Sequence, residues 1–107
     1  MHSLVIRQRQ DAANILECLF SIRVNLRKLI VEYCYHCTES TGLLANVVAF
    51  YPDLQVLSLE GSYPLTFAGY SLIPGLKKLS ELNLTFSPVE YIYIKPLETH
   101  VCIHEHM

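Results

Sequence analysis

The stretch Leu54-Gln-Val-Leu57-Ser-Leu59-Glu-Gly-Ser62 decides how the rest of this 107-residue chain is read. Its spacing, L-x-x-L-x-L-x-x-S, returns as Leu26-Arg-Lys-Leu29-Ile-Val31-Glu-Tyr-Cys34 and again as Leu79-Ser-Glu-Leu82-Asn-Leu84-Thr-Phe-Ser87. From Leu26 to Leu54 is 28 residues, and from Leu54 to Leu79 is 25. Leucines two apart lie on one side of an extended chain, so each motif predicts a short strand with one buried face. In the first, Leu26, Leu29, Val31 and Cys34 point inward, and Lys28, Ile30, Glu32 and Tyr33 face the open side. A unit of this kind buries its apolar face only against a neighbour like itself.

The connections carry a different period. From about Gln10 to Val24, Ala13, Leu16, Leu19 and Phe20, with Ile15 and Ile22, recur at three- and four-residue steps and predict a helix. Cys18 is placed on its apolar side, where a free cysteine acts as a small hydrophobe. A second helix is expected to start after the capping residues Ser40 and Thr41. Leu43, Leu44, Val47, Val48 and Tyr51 form its apolar face, and Pro52 stops it. The third connection, residues 63–76, contains Pro64, Gly69 and Pro74-Gly75, which leaves room for a short helix only. At the start, Leu4-Val5-Ile6 is either the tail of a preceding strand or a frayed terminus. At the end, residues 89–95 and 100–106 each alternate in polarity, and either could add a strand.

The period near 28, the helical connections, and Cys or Ser at a slot where the family carries asparagine make residues 10–88 resemble the ribonuclease-inhibitor-like and cysteine-containing classes of leucine-rich repeat. None of the three motifs has the asparagine, and Val31 replaces a leucine. The resemblance implies an α/β fold, a short leucine-rich repeat solenoid of about three helix–strand units with parallel strands on a concave face. The repeat segment would span 1–88, with strand motifs at 26–34, 54–62 and 79–87, and 89–107 would be an atypical C-terminal cap or a disordered tail.

The resemblance further implies a non-catalytic protein–protein interaction module that meets another protein on its concave face. Members of these classes include substrate receptors of ubiquitin ligases such as F-box leucine-rich proteins. This sequence contains no F-box, so that role would belong to a longer parent, of which this chain is a fragment or isoform. The candidate partner-binding residues are Ile30, Glu32, Tyr33, Ser58, Glu60, Asn83, Thr85 and Phe86. Glu32 and Glu60 form an acidic strip, and Tyr33 and Phe86 supply aromatic anchors. Exposed ends of the stack offer a route to self-association.

Composition narrows the alternatives. Hydrophobic residues make up 51% and charged residues 17% of the chain, which argues against general disorder. A formal net charge of −2 and the lack of a basic patch remove the electrostatic case for nucleic acid or anionic lipid. The apolar run from Leu43 to Tyr51 is far short of the roughly 20 residues needed to span a bilayer, and no signal peptide is recognisable. Four cysteines are too few for a secreted disulfide framework, so an intracellular location, cytoplasmic or nuclear, is expected. The sharpest rival is a small zinc-stabilised module: Cys34 and Cys37 have the spacing of half a zinc site, and Cys102 and His104 could complete it. No nucleophile elbow, phosphate loop or metalloprotease motif is present, so no catalytic residues and no cofactor are expected.

Overall fold

Parallel pairing joins the leucine motifs in the order in which they occur. In the computed structural model, which describes residues 2–22, 24–34, 42–61, 71–86, 97 and 100–104, the chain forms one parallel sheet. Its strands are β1 (Ser3–Arg7), β2 (Lys28–Glu32), β3 (Val56–Ser58), β4 (Glu81–Asn83) and β5 (Cys102–His104), arranged in chain order. Helix α1 (Ala12–Phe20) connects β1 to β2, and α2 (Gly42–Phe50) connects β2 to β3. The described part of the β3–β4 connection contains a 3₁₀ turn, Ile73–Gly75.

The expectation of about three helix–strand units is not confirmed: among the described residues there are five strands and two α-helices. β1 is a full strand, with Leu4 beside Leu29 and Ile6 beside Val31. Its leucine frame was hidden because no leucine stands three positions before Leu4. Equivalent residues recur at steps of 25, 28, 25 and 21 along the five strands. Within 89–107, residues 102–104 form β5, and Leu97 and Val101 are buried; residues 89–95 lie outside the described part.

The junctions reuse one bonding scheme. The N–H groups of Arg27 and Lys28 donate to the His2 carbonyl at 2.8 and 3.1 Å, those of Gln55 and Val56 to Arg27 at 2.7 and 3.0 Å, and those of Ser80 and Glu81 to Gln55 at 2.8 and 3.1 Å. On the inward side, Leu26, Leu29, Val31, Leu54, Leu57, Leu59, Leu82 and Leu84 are fully buried in one core with the helices. Each such side chain contributes roughly 1.5–3 kcal/mol through the apolar area it removes from water.

The helices reach this core through particular faces. In α1 the buried residues are Ala12, Leu16 and Leu19, one stripe at i, i+4 and i+7. Leu16 and Leu19 are buried as expected, with Ile15 and Phe20 partly buried against the core, whereas Ala13, Ile22 and Cys18 are exposed and Ala12 takes the place expected of Ala13. The helix is also shorter than expected. Asp11 precedes it without capping it, because its carboxylate binds Arg9 at 2.7 and 2.8 Å, and that contact holds the acid below its usual range. At the far end, Ser21 turns both its N–H and its hydroxyl onto the Cys18 carbonyl. In α2, Leu43, Leu44 and Val47 are buried as expected, and Pro52 follows closely. Tyr51 then docks one helix on the other. Its hydroxyl donates to the Leu19 carbonyl at 3.2 Å, its ring lies 5.8 Å from that of Phe20, and burial pushes its phenol pKa up.

Candidate protein-binding face

The face opposite the leucines is built in rows, because in-register parallel strands place one residue from each strand side by side. One row runs Ser3, Lys28, Val56, Glu81 and Cys102, and another runs Val5, Ile30, Ser58, Asn83 and His104. Past the strand ends, the bonds Gln8 N–H to Glu32 carbonyl, Tyr33 to Glu60 and Gly61 to Thr85 keep the same register. The rows expected from the leucine spacing are therefore those observed for Lys28, Ile30 and their neighbours.

Six of the eight candidate residues, Ile30, Glu32, Ser58, Glu60, Asn83 and Thr85, line a trough of about 360 Å³ on this face. Tyr33 and Phe86 lie outside it. Three of the six are less open than expected: Ile30, Glu32 and Ser58 are only 8%, 9% and 4% exposed. The cause is lateral contact. Arg7 Nε donates to Glu32 Oε1 at 2.7 Å and Ser58 Oγ to Glu32 Oε2 at 2.8 Å, so the carboxylate is held between β1 and β3. This corrects the acidic strip, since Glu32 is paired with a cation and Glu60 is the more available charge. Two contributors were missed, Arg7 in the network and His104 in the trough wall. The signal for Arg7 was present, because it stands 25 residues before Glu32 at the same slot once Leu4 and Ile6 are aligned with Leu29 and Val31.

A column of left-handed residues closes the strands. Gln8, Tyr33, Gly61 and Phe86 have φ of 52°, 53°, 64° and 59° and occupy equivalent positions after β1, β2, β3 and β4. Only glycine takes this conformation without steric cost. Gly61 is also required by its neighbour, because a Cβ there would stand 2.5 Å from Cδ1 of the Tyr33 ring. Tyr33 is half-buried over that glycine, whereas Phe86 is half exposed.

The cysteines divide by location. Cys34 Sγ lies 3.3 Å from the Glu32 carbonyl and 3.7 Å from that of Ile6, so a thiol at the asparagine slot meets backbone acceptors of its own and the preceding strand. Cys102 and His104 sit together on exposed β5, with Sγ and Nε2 3.7 Å apart. β3 and β4 separate β2 from β5, which at about 4.8 Å per strand step places Cys34 roughly 14 Å from them. Cys37 lies outside the described residues, and among the described residues no three potential ligands cluster. No described helix is long and apolar enough to cross a membrane. A second groove, about 680 Å³, lies at the ends of the helices, where Ile22 and Phe50 are half exposed and Phe20 stacks on Phe50.

Compared with known proteins, the chain matches no family model, no curated protein and no solved structure.

Proposed function

We propose that this chain is a non-catalytic protein-binding module, a short solenoid of the leucine-rich repeat kind that meets another protein on the face opposite its leucines. One observation carries the reading: the leucine motifs stack in register as adjacent parallel strands, so their outward residues form continuous rows. Such rows suit an extended or gently curved protein surface better than a small molecule, which is usually held in an enclosed, mostly apolar pocket. The trough supplies polar and charged groups from four neighbouring strands, and Phe86 at its margin is an aromatic residue of the type enriched at binding hot spots. Membership of a larger ubiquitin-ligase receptor stays within this proposal, as a role of a parent protein.

Affinity capture with quantitative mass spectrometry tests it. Proteins recovered by the parent chain are expected to be lost with Glu60→Arg/Asn83→Arg and retained with Glu17→Arg, which alters the exposed side of α1. Equal recovery by the double variant and the parent would place binding elsewhere. Metal analysis separates the zinc-stabilised alternative, since one equivalent of tightly held zinc, lost together with folding on chelation, sinks the present reading.

A further inference from the structure

One row of inward residues crosses the whole sheet: Leu4, Leu29, Leu57, Leu82 and Ile103. The inner three are fully buried, whereas the two end members are only partly buried against the same core. The ends also carry backbone groups directed away from the sheet. On β1, the His2 carbonyl and the Gln8 N–H bond to β2. By strand alternation, the N–H and carbonyl groups of Ser3, Val5 and Arg7 turn outward. On β5, the Cys102 N–H and the His104 carbonyl bond to β4, which directs the N–H and carbonyl of Ile103 to the outer edge while its side chain stays on the core side. Among the described residues no strand pairs with either outer edge. β1 lacks the usual protection of an edge: it has five residues and no proline, Val5 is 45% exposed, and the Arg7 side chain is drawn across to Glu32.

From these features we propose that β5 of one chain docks in parallel on β1 of a second copy, continuing the sheet and setting Ile103 beside the neighbour's Leu4. The inference rests on the stacked-repeat reading above. The occupant is a second copy because the internal junctions define what completes each edge. All four are parallel, and at the first three a carbonyl before one strand receives two successive N–H groups from the next. The β1 edge offers the donors of that scheme, His2 and Ser3. Val101, in register with Ser80, offers the carbonyl at the other edge. Pairing β1 with β1 of a second copy would be antiparallel, unlike any junction in the sheet, and would leave Ile103 partly exposed. The contact is head-to-tail, so each open assembly keeps a β1 edge at one end and a β5 edge at the other, and a distribution of oligomers results.

Sedimentation velocity over a wide concentration range tests this with Val5→Pro and Ile103→Pro. Each proline removes an outward donor and leaves the internal ladder intact. The parent is expected to gain mass at least twofold with concentration, and each variant to stay monomeric. An equimolar mixture should form a 1:1 dimer, because one variant retains the β5 edge and the other the β1 edge. Val5→Lys and Ile103→Lys charge the same edges and carry the same expectations, which guards against unfolding by proline; circular dichroism confirms the fold of each. A parent that is monomeric at every concentration overturns the proposal. So does dimerisation of Ile103→Pro alone, which signals β1–β1 pairing, or a mixture that stays monomeric while the parent associates. A chain that stays monomeric but still loses partners on Glu60→Arg/Asn83→Arg removes this inference and leaves the proposed function standing.

Discussion

Gln8 shows how much a single position can reveal. It is exposed, yet it holds a left-handed conformation because its N–H must reach the Glu32 carbonyl at 2.9 Å. A non-glycine residue there costs about 1–2 kcal/mol, partly offset in a glycine variant by roughly 0.5–1 kcal/mol of extra chain entropy in the unfolded state. Gln8→Gly is therefore expected to leave stability unchanged or raise it by up to about 1.5 kcal/mol, and Gln8→Val to lower it by about 1–2 kcal/mol. Urea midpoints read both, and a destabilising glycine would refute the conformational assignment. Tyr33 and Phe86 bear the same backbone cost with aromatic side chains, while Gly61 avoids it and admits the Tyr33 ring.

At the scale of the element, position in the sheet sets the cost of losing a side chain. Leu57 has paired strands on both sides and Ile103 has one. Leu57→Ala is expected to cost roughly 2–5 kcal/mol, in the range of large-to-small changes in rigid cores. Ile103→Ala should cost clearly less, because its site is partly open and can collapse. Equal losses of denaturation midpoint would contradict the proposed stacking. The helix pair makes a separate prediction through Tyr51. Burial raises its phenol pKa above the ordinary 10.0, so the folded state binds this proton more tightly than the unfolded state. Its contribution is complete below about pH 10 and is lost as pH rises through the folded value. Tyr51→Phe should be about 0.5–1.5 kcal/mol less stable at neutral pH for want of the bond to Leu19. Between pH 9 and 11 it should lose less stability than the parent. If both fall in parallel, the phenol is not protected.

Across the whole molecule, a single cluster of buried residues joins β1, both helices, the three leucine strands, Leu97 and Val101. With one core of this kind and so few residues, unfolding is expected to be a single cooperative transition. At micromolar concentration, far-ultraviolet circular dichroism and tyrosine fluorescence should report coincident urea midpoints. A β1–α1 unit that melts separately would show that the first strand is only loosely attached.

The same scale separates what the sequence determined from what the tertiary structure decided. Leu26, Leu54 and Leu79, each with apolar residues three and five positions on, were enough to place β2, β3 and β4 side by side in correct register, because one spacing encodes both the buried face and its match to the next strand. Candidate residues Ile30, Ser58 and Asn83 followed from that register alone. The burial of Glu32 did not, since it depends on Arg7 and Ser58 arriving from strands 25 and 26 residues away. The left-handed column was equally illegible, because glutamine, tyrosine and phenylalanine carry no local signal for positive φ, and the acceptors that Gln8 and Tyr33 reach in this conformation belong to the neighbouring strands. The extent of the sheet was decided the same way: Leu4-Val5-Ile6 read equally as a strand or a frayed terminus and residues 100–106 as an optional strand, and pairing with β2 and β4 selects the strand at Ser3–Arg7 and Cys102–His104.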